Sequence, residues 1–150
     1  MEIVVGVDGS PVAGAVLQAA IEEAKLRQAR LHVVHVVYGP ATWVDGITFM
    51  PGNLIDSAYE IAETIKRSVW EQVTAALEGI DLEWVQVDRS GYPPDEVVEY
   101  AKSIEAGLIV VGSRGFGDLK SLLLGSTSHR VSHLSQCDVL IVKTKGDVTS

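Results

Sequence analysis

The chain has 150 residues, 47% of them hydrophobic and 21% charged, enough apolar material to fill the core of one domain over 1–150. Twenty Asp and Glu against twelve Lys and Arg leave a net charge of −8. Phosphate backbones favour basic surfaces, so this balance argues against nucleic acid as a partner. A single cysteine, Cys137, excludes an internal disulfide framework and a cysteine-based zinc cluster.

The first segment, MEIVVGVDGS, carries neither a basic n-region nor a cleavage site and reads as a strand, Ile3 to Val7, from the outset. The expected location is therefore cytoplasmic. No stretch approaches the roughly eighteen unbroken apolar residues of a membrane span, so no membrane association is expected. Ser10-Pro11 has the form of a helix start, with serine as N-cap, and Ala13, Val16, Leu17, Ala20 and Ala24 follow at helical spacing. A second strand is expected at Leu31 to Val37. After it, Tyr38 to Asn53 forms a long loop with Trp43, Phe49 and Met50, and loops of that length often act as lids or binding loops. Leu54, Ala58, Ile61, Ile65, Val69, Val73 and Leu77 predict one long helix with an inward stripe, stopped by Gly79.

The third strand, Leu82 to Val87, alternates more than the others and is the expected far edge of the sheet. A helix then starts near Pro94, carries Val97, Ala101 and Ile104, and stops at Gly107. Leu108 to Gly112 and Val139 to Val142 are the last strands, separated by a short helix whose Val131 and Leu134 are expected to face inward. Residues 146–150 read as a frayed tail. Strands and helices thus alternate from end to end. The predicted fold class is α/β: an open five-stranded parallel sheet, order 3-2-1-4-5, with helices on both faces in a Rossmann-like arrangement.

In such sheets ligands bind beyond the carboxyl ends of the strands, where the strand order reverses. That crevice would open between the ends of strands one and four, at VDGS (Val7 to Ser10) and GSRG (Gly112 to Gly115). Gly112 and Gly115 allow close backbone approach, and successive N–H groups in such a turn form an anion nest. Gly125 leads into a helix opening with Ser126, Thr127 and Ser128, whose N-terminus attracts anions. Arg114, Lys120, His129 and Arg130 are nearby cations. The pattern GxxxxGK[ST] is absent, which excludes a P-loop mechanism. Asp8 either forms an Asx-turn into the first helix or accepts from a hydroxyl or amino group of a ligand.

With these residues in place, the chain resembles the universal stress protein family of small single-domain type. The family's nucleotide-binding pattern, Gly-x2-Gly-x9-Gly-Ser/Thr, is met by Gly112 and Gly115, nine intervening residues, then Gly125 and Ser126. VDGS, VVGSRG and CDVLIVK match as well, so the likeness spans essentially the whole chain. One departure is Gly107, where relatives often have Asp before the fourth strand; that position lies at the far end of the strand from the crevice.

The resemblance implies ATP, or ADP or AMP, as ligand, with or without magnesium. It places Asp8 by the nucleoside, the main chain of Val36 and Val37 at adenine, Gly112, Arg114 and Gly115 along ribose and phosphates, and Gly125, Ser126 and Thr127 at the phosphates. It also implies a homodimer through the last strand, Val139 to Val142, and a nucleotide-dependent regulatory switch in the stress response, read by a further protein partner of unknown identity.

No catalytic set is evident, so hydrolysis is expected to be slow at most. The alternatives are a slow ATPase or nucleotidyl-transfer enzyme, or an interaction module that does not bind nucleotide. His32 and His35, three apart on a strand, are expected on opposite faces, with His35 a satisfied core or rim residue. Cys137 is expected to pack as a small apolar group.

Overall fold

A computed structural model describes residues 1–37, 51–113 and 125–143. Among these the elements run β1 (Glu2–Val7), α1 (Ala13–Arg27), β2 (Arg30–Val37), α2 (Gly52–Leu77), β3 (Trp84–Ser90), α3 (Pro93–Ser103), β4 (Leu108–Gly112), α4 (Ser126–Leu134) and β5 (Asp138–Val142). The five strands form one parallel sheet in the order β3-β2-β1-β4-β5. The predicted fold class and strand order are thereby met. The third strand is an edge, shifted to Trp84–Ser90 relative to the expected Leu82 to Val87.

The two-residue period of the strands sorts their side chains into two cores. Ile3, Val5, Leu31, Val33, Leu108 and Val110 pack with α1 and the end of α2. Val4, Val34, Ile109 and Val111 pack with α3 and α4 around Val97, Ala101 and Val131. Burial on both faces explains why the central strands carry near-continuous Val, Ile and Leu runs. On the β3 edge Trp84 joins the first core and Val87 the second, while Gln86 and Asp88 are exposed.

Three details differ from expectation. Ser10 does not cap α1. Its own N–H donates to Asp8 Oδ1 at 2.9 Å, residues 10–12 form a turn, and the N-cap position falls to Val12, which offers no side-chain cap. The Ser10 hydroxyl is buried and has no partner among the described residues. On α2, only the C-terminal part of the apolar stripe is covered: Val69, Val73 and Leu77 are buried together with Trp70, whereas Leu54 is 50% and Ile61 60% exposed. Val131 is fully buried on α4, but Leu134, one turn further along, is 39% exposed.

The helix ends otherwise follow their local chemistry. Pro93 and Pro94 occupy the first turn of α3, where a missing N–H costs nothing, and Asp95 and Glu96 complement the helix dipole there. Gly79 ends the α2 segment at φ +72, a conformation glycine adopts without strain. No helix among the described residues is long and apolar enough to cross a membrane.

Candidate functional site

Beyond the carboxyl ends of β1, β2 and β4 lies a cavity of about 340 Å³, at the point where the strand order reverses. Asp8 and Gly9 form its wall at the end of β1, and His35, Val36 and Val37 at the end of β2. Gly112 closes it at the end of β4, with Thr127 from the first turn of α4. Val12, Ala13 and Val16 of α1 and Ala62 and Ile65 of α2 line one side; Pro93 and Val97 of α3 line the other. The walls are largely aliphatic with a few convergent polar groups, the usual make-up of a small-molecule site.

Five of the residues singled out from the sequence, Asp8, Val36, Val37, Gly112 and Thr127, line this cavity together. Gly125 and Ser126 stand beside Thr127 at the start of α4. Arg114 and Gly115 lie outside the described residues, as do Lys120 and most of the long loop after β2. Asp8 forms the expected Asx-turn, Oδ1 accepting the Ser10 N–H, and the residue also borders the cavity.

Ser113 fastens the β4 and α4 side of the cavity together. Its N–H donates to the Val142 carbonyl at 2.8 Å, and its own carbonyl accepts from the Gly125 N–H at 2.5 Å and from Ser128 Oγ at 3.2 Å. Ser128 Oγ also lies 3.0 Å from the Gly125 carbonyl and is 1% exposed. That hydroxyl holds the start of α4 against β4 rather than facing a ligand. The hydroxyl run from Ser126 to Ser128 is thus divided: Thr127 borders the cavity and Ser128 is inside the fold.

Arg130, counted from sequence as a cation near the site, is committed elsewhere. Its Nε and Nη2 donate to the two carboxylate oxygens of Asp95, at 2.6 and 3.2 Å, and its guanidinium lies 5.6 Å from the centre of the Tyr92 ring. The pair joins α4 to α3 at the rim. The Arg130 hydrogen bond holds the Asp95 carboxyl below its ordinary value, and Asp95 in turn raises Arg130.

The two strand histidines face opposite sides, as their spacing requires. His32 lies at the far end of the sheet from the cavity. Its Nε2 is 2.6 Å from Glu2 Oε2 and its Nδ1 is 2.8 Å from Tyr100 Oη. Burial, then the Glu2 charge, pushes the Tyr100 hydroxyl up, with Arg89 opposing. His35 is 4% exposed, with Nδ1 3.2 Å from the Val7 carbonyl and its ring edge-on to Trp70. It is a core residue as expected, but it also lines the cavity, which the strand pattern did not reveal.

The model of the universal stress protein family matches residues 1–143. The universal stress protein YxiE of Bacillus subtilis is 37% identical over 148 residues, covering 95% of this chain and 98% of the relative. The structure of the universal stress protein UspA from Lactobacillus plantarum shares the fold with a TM-score of 0.77 at 23% identity, covering 95% of this chain and 97% of that one. A universal stress protein crystallised in complex with cAMP superposes with a TM-score of 0.65 at 27% identity, covering 95% and 96% of the two chains. The chain belongs to the universal stress protein family.

Proposed function

We propose that this chain binds an adenine nucleotide in the cavity between the ends of β1 and β4 and acts as a nucleotide-dependent regulatory protein of the stress response. One observation carries the reading: the cavity brings Asp8, Val36, Val37, Gly112 and Thr127 together, in a family with a similar member crystallised with cAMP. Asp8 accepts from the ribose, the main chain of Val36 and Val37 meets adenine, and Gly112, Arg114 and Gly115 line ribose and phosphates. Gly125, Ser126 and Thr127 hold the phosphates at the start of α4, where helix N-terminal N–H groups favour negative charge.

ATP is the proposed ligand, with magnesium as a partner of its phosphates. The proposed assembly is a cytoplasmic homodimer through β5, an edge strand whose Val139 to Val142 are only half-buried. For switching, the nucleotide must bind one conformation better than another, and a partner protein reads the difference.

The test is direct. The purified protein is denatured and its supernatant examined for released nucleotide, and thermal unfolding is followed with and without ATP and magnesium. Released adenine nucleotide, or a raised unfolding midpoint, is expected. The absence of both would overturn the proposal. Gly125→Val is expected to abolish the shift with the sheet intact; retained binding would move the phosphates elsewhere. Single-turnover phosphate release at about 1 s⁻¹ or faster would make the protein an enzyme rather than a switch.

A further inference from the structure

The proposed nucleotide site contains a ring nitrogen acceptor that the glycine motif does not include. His35 is 4% exposed yet lines the cavity. The Val7 carbonyl, 3.2 Å from Nδ1, can only accept. In the neutral ring the proton therefore sits on Nδ1, and Nε2 is left as an acceptor. Among the described residues Nε2 has no hydrogen-bond partner. The ring is buried by the fold while this acceptor is left on the cavity side, where a ligand donor can reach it.

The ring is also held in place. Trp70 meets it edge-on at 6.4 Å between centroids, and Trp70 Nε1 donates to Asp88 Oδ1 at 2.8 Å. Asp88 stands beside His35 across the β2–β3 register and has Lys66 3.9 Å away. A side chain fixed this way presents its lone pair in one direction, which is what discrimination between ligands requires.

We infer that His35 is a specificity-determining residue that accepts a hydrogen bond from the 6-amino group of the purine. The inference rests on the proposed nucleotide site and deepens it. The ribose and the purine amino group are the donor-bearing parts of an adenosine nucleotide; of the polar side chains lining the cavity, the Asp8 carboxylate and His35 Nε2 can only accept, whereas the Ser10 and Thr127 hydroxyls also donate. Asp8 stands at the end of β1, beside β4 with Gly112 at its end, which suits the ribose. His35 is on the side of the sheet that faces α1 and α2, where Val16, Ala62 and Ile65 also line the cavity, and an aliphatic lining suits a flat base. A 6-keto purine would set an oxygen lone pair against that of Nε2. A site built to receive an N–H rejects the analogue that lacks it far more strongly than a merely apolar pocket does.

The experiment compares ATP with ITP, which carries a 6-keto group, by titration calorimetry on the full chain. Wild type is expected to favour ATP by about tenfold or more. In His35→Asn the amide nitrogen stands where Nδ1 was and keeps the bond to Val7, but no acceptor replaces Nε2; the preference should fall to about twofold or less. His35→Gln places its amide oxygen near the position of Nε2 and should restore part of the preference.

A readout on wild type alone guards against a folding defect in either variant. The ¹⁵N resonance of His35 Nε2 should move on adding ATP and stay in place on adding ITP. Equal affinity for the two nucleotides in wild type, full discrimination in a folded His35→Asn, or an unmoved Nε2 resonance with ATP bound would each overturn the assignment and leave nucleotide binding intact. If wild type binds neither nucleotide, the site itself has been misread and the assignment goes with it.

Discussion

The α4 helix supplies the phosphate-facing side of the proposed site, yet it is nine residues long and buries only Ser128 and Val131. A helix of that length has little stability of its own in water. Its position therefore depends on the fully buried Val131, on the Ser128 hydroxyl at Ser113 and Gly125, and on the Arg130–Asp95 pair at the rim. Val131→Ala removes two methyl groups, each worth about 0.8 kcal/mol of transfer free energy. The space left among Val97, Ala101 and Ile109 relaxes only in part and adds a comparable cost, for a total of roughly 2–3 kcal/mol.

Urea denaturation of wild type and variant should show this as a lower midpoint at unchanged slope. Amide exchange then locates it. The N–H groups of His129 and Ser135, bonded to the Gly125 and Val131 carbonyls, should exchange about 30-fold faster if some 2 kcal/mol is lost locally. A loss below about 0.5 kcal/mol, within the range of ordinary surface substitutions, would refute the view that Val131 anchors α4.

Gly91 follows the edge strand β3 at φ +145, and its N–H donates to the carbonyl of Val37 in the cavity wall. A Cβ there would stand 2.7 Å from Glu96 Oε1. Gly91→Ala should therefore destabilise the fold by about 1–3 kcal/mol in chemical unfolding; an unchanged midpoint would mean that the turn readily takes another conformation. Asp95 gives a pH signature. Its carboxyl is held below the ordinary 3.8 by Arg130, so its contribution is present above that value and disappears as pH falls through the lower folded value. Asp95→Asn should flatten that part of the acid limb in unfolding scans from about pH 5 to pH 2; an identical acid limb would show that the pair does not contribute.

Much of the architecture was legible because strands buried on both faces leave an unmistakable mark. IVVGV, LHVVHVV and LIVVG have almost no polar interruption, and the more alternating LEWVQV belongs to an edge. The α2 stripe shows where such inference stops. Leu54, Ile61 and Ile65 recur at helical spacing as faithfully as Val69 and Val73, but periodicity defines a face and does not supply the element that covers it. Ser10 was misassigned for a related reason: Ser-Pro suits a helix start, and only the tertiary turn reveals Asp8 taking the Ser10 N–H first.

At the site, VDGS and the glycines after β4 were readable because turns at strand ends have strong local signatures. His35 was less so. Strand alternation specifies its side of the sheet, but not its height relative to the cavity floor. Arg130 looked like a ligand cation until Asp95, 35 residues away in sequence, was seen to occupy it.

The strand order has a consequence for how the molecule comes into being. β1 is made first, yet one of its two neighbours begins at Leu108, so the contact that closes the middle of the sheet joins distant parts of the chain. Closure of so long a loop delays that pairing, and folds rich in such contacts form slowly. Asp8 directly follows one of the two strands concerned and Gly112 ends the other. A nascent chain thus carries only one wall of the cavity through most of its synthesis, and a ligand spanning both walls stabilises the finished fold without assisting its early stages.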